Sequence, residues 1–80
     1  MNNKELEKYF GNAIRVKRAE MKITQEHLAE LVGISTTYLR GVERGNHSTT
    51  WGIWLRICMA LQLDIEQFID KIQFDNDFCL

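Results

Sequence analysis

Residues 24–45 read Thr-Gln-Glu-His-Leu-Ala-Glu-Leu-Val-Gly-Ile-Ser-Thr-Thr-Tyr-Leu-Arg-Gly-Val-Glu-Arg-Gly, and two apolar stripes of helical period lie within them. Leu28, Ala29 and Val32 recur at i, i+1 and i+4, and Leu39 and Val42 at i and i+3, so each segment has one face to bury. Gly33 separates the stripes and can take the left-handed conformation that ends a helix, while Ser35 can cap the next one. The stretch therefore predicts two short helices joined by a glycine turn, the layout of a helix-turn-helix. Helices this short do not stand alone in water. Their stripes must share a core with the rest of the chain, leaving the opposite face of the second helix free to project polar groups.

Helical periodicity covers nearly all of the remaining chain, and proline is absent. A first helix is expected over residues 4–21, with Leu6, Phe10, Ala13, Ile14 and Lys17 on successive turns. Thr24 caps the second helix and Ser35 the third. Asn46-His47-Ser48-Thr49-Thr50 is a polar loop, and Thr49 or Thr50 can cap a fourth helix running to about Leu61, with Trp54, Ile57, Cys58 and Leu61 as its core stripe. Asp64 followed by Gln67 reads as a capping box opening a fifth helix that carries Ile65, Phe68, Ile69 and Ile72. The expected fold is all-α, a compact five-helix domain over residues 1–72 followed by a short tail without periodicity over residues 73–80. Trp51, Ile53, Leu55 and Met59 remain once the fourth helix has filled its core stripe. Together with the fifth helix they would leave an apolar surface on a monomer, which predicts a homodimer with Met59, Ile65, Ile69 and Ile72 in its interface.

An 80-residue chain buries only about 60% of its unfolded surface, so a partner copy is a natural source of added stability. An apolar content of 45% with charges spread throughout fits a globular protein. There is no 18-residue apolar run, and the opening Met-Asn-Asn-Lys-Glu has no signal-like apolar segment, so a cytoplasmic protein with no membrane association is expected. Cys58 and Cys79 supply neither a disulfide framework nor a zinc site. The net charge of −1 hides a split: residues 1–56 hold nine Lys or Arg against six acids, and residues 57–80 hold Lys71 against five acids. A basic front and an acidic back would orient the domain on a polyanion. Catalysis finds no support. His27 and His47, read as solvent-facing, have no second ligand, nucleophile or carboxylate at a useful spacing, Glu26 and Glu30 form an i, i+4 pair on a solvated face, and no phosphate-binding glycine loop occurs. No metal or cofactor is expected.

Several pieces occur in order at the spacings of one family: Gly11-Asn12-Ala13-Ile14-Arg15 with Arg18, Thr24-Gln25 with Leu28-Ala29, Gly33-Ile34-Ser35, Tyr38-Leu39, Val42-Glu43-Arg44-Gly45 and Ala60-Leu61. In these the chain resembles the lambda-repressor-like, Cro/repressor-type helix-turn-helix proteins over about residues 10–70. Within that family, Tyr38-Leu39-x-Gly41-Val42-Glu43-Arg44-Gly45 looks most like the controller proteins of restriction-modification systems. Where such controllers carry Arg-Asn after the Glu-Arg-Gly-x turn, as a phosphate contact, this chain has His47-Ser48. The resemblance implies a five-helix domain that dimerises mainly through its C-terminal helix and binds an operator to regulate transcription. It also implies that Arg18 and Glu43 pair to lock the first helix to the third, a structural role.

A recognition helix enters the major groove with its N-terminal residues at the base edges. On that reading Thr36, Thr37 and Arg40 face bases, Arg40 being able to grip guanine O6 and N7 and a threonine to hydrogen-bond or meet a thymine methyl. Gly41 joins them. A glycine inside a helix costs about 1 kcal/mol relative to alanine, and either close packing or close approach to DNA accounts for it. Gln25 opens the second helix, where the family grips a phosphate and backbone N–H groups favour an anion. Tyr38, Arg44 and Asn46 are the other expected phosphate contacts, with Arg15, Lys17 and Lys22 adding diffuse attraction. The expected partners are an operator in double-stranded DNA, a second copy of the chain and RNA polymerase. The competing functions are an antitoxin that binds a toxin and autoregulates its operon, and an interaction module that has lost DNA binding.

Overall fold

A computed structural model describes residues 3–47 and 49–69 of the chain. Five helices follow one another: α1 (Asn3–Glu20), α2 (Gln25–Val32), α3 (Thr36–Glu43), α4 (Trp51–Leu61) and α5 (Glu66–Ile69). The ends of the short helices are set by local side-chain chemistry. Thr24 Oγ1 accepts from the His27 N–H at 3.0 Å, Ser35 Oγ from the Tyr38 N–H at 3.0 Å, and Thr50 Oγ1 from the Ile53 N–H at 3.3 Å, each satisfying one of the orphan donors of a first turn. Gly33 closes α2 with φ +84° and donates its N–H to the Ala29 carbonyl at 2.9 Å. From α4, Arg56 Nη1 reaches the Val32 carbonyl at 3.3 Å, so another orphan acceptor of α2 is met by the helix packed against it.

The fifth helix opens differently from the capping box expected of Asp64 and Gln67. Asp64 Oδ1 accepts from the Glu66 N–H at 3.0 Å, two residues on, and Gln67 donates its own N–H to the Asp64 carbonyl at 3.2 Å. The short side chain is thus taken up by the turn itself. The expected continuation of α5 to Ile72 and the tail over residues 73–80 lie outside the described residues.

The apolar stripes converge as their periodicities require. Phe10, Ile14, Leu28, Ala29, Val32, Leu39, Val42, Ile57, Cys58, Leu61 and Phe68 form one buried cluster, made where α1 packs on α3 and α4 and α2 packs on α3 and α4. Burial pushes the Cys58 thiol above its ordinary pKa, as expected of an inert, packed cysteine. Ile53, left over by the sequence reading, instead packs against this core. Phe68 is fully buried and stands edge-on to Tyr9, Phe10 and Trp54 at centroid distances of 5.8, 5.1 and 6.0 Å. Such edge-to-face pairs add to the area they bury. Among the described residues the Trp54 Nε1 donor is buried without an acceptor, a local cost set against that packing.

The crossing of α1 over the end of α3 is close enough to exclude a side chain. A Cβ on Gly11 would stand 2.7 Å from the Glu43 carbonyl oxygen and closer still to that of Val42. Both obstacles are backbone, so neither can swing away. We expect Gly11→Ala to destabilise by about 1 to 3 kcal/mol through overpacking, outweighing the helix-propensity gain of about 1 kcal/mol. Urea denaturation of the two proteins checks this, and an alanine variant at least as stable as the parent would contradict the close crossing.

Candidate nucleic-acid interface

Burial divides α3 into two sides. Leu39, Val42 and Glu43 face inward, Thr37, Arg40 and the following Arg44 are exposed, and Thr36, Tyr38 and Gly41 lie between. Of the residues expected to meet bases, Thr37 and Arg40 are therefore fully presented, and Thr36 and Gly41 partly so.

Glu43 faces inward because it is met there. Its two carboxylate oxygens accept from Arg18 Nε at 2.9 Å and Nη2 at 3.1 Å, and Oε1 also accepts from Gln25 Nε2 at 3.0 Å. The remaining nitrogen of the fork, Nη1, donates to the Ile23 carbonyl at 3.0 Å. Only 4% of the Glu43 side chain and 18% of the Arg18 side chain are exposed, so this is a sheltered, charge-assisted bidentate pair. Gln25, expected on a phosphate, is half-buried and gives one amide donor to this network; the amide carries a second.

Against the outer edge of the pair lies an open recess of about 490 Å³ lined by Arg15, Gln25, Arg40, Glu43 and Arg44. Three guanidinium groups surround one carboxylate that Arg18 already neutralises, so the recess favours an anion. Arg15 is held there by a hydrogen bond from Nη2 to Asn12 Oδ1. The sequence alone places Arg15 among the diffuse charges. The available signal was its position three residues before Arg18, which puts both on one side of α1.

The other flank of α3 carries two rings. Tyr38 and His47 are stacked with centroids 5.4 Å apart and planes within 8°. The imidazole lies over Gly41, where a Cβ would come within 3.2 Å of His47 Cγ and closer to Cδ2 and Nε2. His47 is exposed, as expected, but its ring is engaged by the helix and does not simply face solvent. His27 and Asn46 are exposed, and the Asn46 N–H donates to the Gly41 carbonyl at 2.9 Å.

Along α4, Trp51, Leu55 and Met59 are 66, 43 and 78% exposed and recur every four residues. Ile65 is half-buried, while the Ile69 side chain and all of Ile72 lie outside the described residues. Among the described residues no group of three His, Cys, Asp or Glu could hold a metal ion, and no helix is long and apolar enough to cross a membrane.

A family model described as a helix-turn-helix domain matches residues 10–68. The "ImmF control region 10 kDa protein" of Bacillus phage phi105 is 33% identical over 58 residues, which make up 72% of this chain and 64% of that protein. The chain thus spans somewhat less than two thirds of that relative. Two crystal structures of the clp gene regulator ClgR from Corynebacterium glutamicum superpose with a TM-score of 0.75 at 29% identity. They cover 82% of this chain and 70% and 85% of theirs.

Removing the inward carboxylate should unfold the motif before it affects anything else. Glu43→Ala leaves Arg18 sheltered without its counter-charge, with an expected loss of about 3 kcal/mol or more. A thermal or urea melt reads this directly. An unchanged midpoint together with weakened binding to duplex DNA would move Glu43 from the frame to the interface.

Proposed function

This chain belongs to the helix-turn-helix domain family, and from that premise we propose that it is a DNA-binding transcriptional regulator that reads a pseudo-palindromic operator as a homodimer. The observation that carries the reading is the outer side of α3, where Thr37, Arg40 and Arg44 are exposed beside a recess edged by three arginines. A helix of this kind presented to the major groove puts short polar side chains at base edges and guanidinium groups at the adjoining phosphates. Thr36, Thr37, Arg40 and Gly41 form the base-facing set in this reading, with Gln25, Tyr38, Arg44 and Asn46 toward the backbone and Arg15 added to them. Arg40, sharing its recess with Arg15 and Arg44, stands between the two roles.

The second copy is proposed to dock on the exposed stripe of α4, with Met59 in the interface together with Ile65, Ile69 and Ile72. Three large apolar side chains at four-residue spacing make a continuous stripe that water does not favour. A twofold dimer would present two recognition helices about 34 to 36 Å apart, one per half-site. RNA polymerase is a further partner where the regulator activates. As to locus, a restriction-modification controller role rests on the stretch from Tyr38 to Gly45, and a phage control region on the relative of that description. The genes beside the coding sequence distinguish them.

Titrating labelled duplex DNA with the protein at several salt concentrations tests the reading. Binding should weaken steeply with salt, by about 0.9 in the log–log slope for each phosphate neutralised, and Arg15→Ala or Arg44→Ala should lower affinity for all sequences alike. Arg40→Ala should cost about 1 to 3 kcal/mol on the preferred duplex and relax one base pair in each half-site. An equal loss on random DNA would make Arg40 a phosphate clamp. No salt-sensitive binding to any duplex would sink the function. For the dimer, Met59→Asp should weaken self-association and DNA affinity together, and a parent protein that sediments as a monomer at high micromolar concentration would overturn it.

A further inference from the structure

The base-facing side of α3 has one position with no side chain of its own. Gly41 follows Thr37 by four residues, one helical turn along the same face. The space its side chain would fill is taken by a ring from outside the helix. A Cβ on Gly41 would come within 3.2 Å of His47 Cγ and closer to Cδ2 and Nε2, and the imidazole is kept there by its parallel stack on Tyr38. The chain returns over the helix because Gly45 takes a left-handed turn at φ +77° and the Asn46 N–H closes on the Gly41 carbonyl at 2.9 Å.

We propose that His47 supplies, from the loop, the base-reading side chain that Gly41 lacks, so that Gly41, Tyr38 and His47 act as one composite position of the recognition surface. This rests on the DNA-binding reading above and adds to it a base contact at a residue that the sequence reads as solvent-facing, with at most a weak approach to phosphate. A glycine within an exposed helical surface is unfavourable by about 1 kcal/mol relative to alanine, and accommodation of the ring accounts for its presence. Neutral imidazole offers one donor and one acceptor, a match for the mixed pattern of adenine N6 and N7 or for guanine N7 and O6 one at a time. Stacking on Tyr38 fixes the ring before DNA arrives, which lowers the ordering cost of a contact. The ring lies against Gly41, one turn from the exposed Thr37, which puts it among the side chains proposed to face bases rather than on the flank that carries the three-arginine recess.

The test selects preferred duplexes from a random-sequence library with the parent protein. Affinities of the parent, His47→Ala, Gly41→Ala and Arg40→Ala are then measured on the preferred duplex, on its single base-pair variants and on an unrelated duplex. His47→Ala is expected to lose about tenfold on the preferred duplex, the scale of one base-edge contact. It should lose discrimination at one base pair per half-site different from the one Arg40→Ala relaxes, with its melting temperature and its affinity for the unrelated duplex unchanged. Gly41→Ala, whose methyl group evicts the ring, should show the same loss of discrimination although its helix is intrinsically better. Equal weakening on preferred and unrelated duplexes would make His47 a backbone contact and overturn the proposal. So would unaltered discrimination in both variants while Arg40→Ala still relaxes its base pair. A parent protein that binds no duplex would remove the DNA reading itself, and this inference with it.

Discussion

Two N–H groups of Arg18 meet both oxygens of Glu43 at 2.9 and 3.1 Å, and the placement of α3 depends on that fork. Arg18 stands near the end of α1, Glu43 at the end of α3, and the same guanidinium holds the Ile23 carbonyl in the turn between α1 and α2. Gln25 at the start of α2 completes the set. One cation and one anion thus fix the relative positions of three helices and a turn. The Coulomb energy alone does not justify such a pair, since removing two charges from water costs several kcal/mol per ion. Its value lies in geometry: a planar fork accepts only one approach of the carboxylate.

That constraint has an electrostatic effect on the outer surface. A carboxylate on a helix meant to approach phosphates would repel them, and pairing it inward with Arg18 removes the conflict without removing the residue. Arg15, Arg40 and Arg44 then surround the recess with little opposing charge. Glu43 lines that recess, but with Arg18 countering its charge it opposes the three guanidinium groups only weakly. The close crossing at Gly11 serves the same arrangement, since it lets α1 back directly onto the carbonyls of Val42 and Glu43.

Much of the frame was legible in residues 24–45 because its determinants are local. Thr24, Ser35 and Thr50 cap through bonds to an N–H three residues away, and Gly33 ends α2 by its own backbone preference. The buried stripes likewise follow from period alone. What escaped depends on how helices cross. Nothing within α4 tells that Ile53 packs inward, nor within α1 that a side chain at Gly11 would strike α3. Asp64 had two donors within reach, and only the turn geometry selects Glu66 over Gln67. The Arg18–Glu43 pairing came from family resemblance, because no periodicity links residues 25 positions apart. His47 was opaque for the same reason: its stack on Tyr38 is made by a loop doubling back, and composition marks that loop only as polar.

The division of α3 into an inward and an outward side has an evolutionary consequence. Leu39, Val42 and Glu43 carry the helix's obligations to the fold, whereas Thr37, Arg40 and Arg44 are exposed and touch little of it. Exposed positions away from special contacts tolerate exchange within about half a kcal/mol. Descendants of this chain could therefore drift from one target to another by trading outward residues, without passing through unstable intermediates. The exception is the position shared by Gly41 and His47, where a helical site and a loop site just beyond it occupy one space. There a larger helical residue requires the ring to leave, so these two positions should change as a pair across diverging lineages.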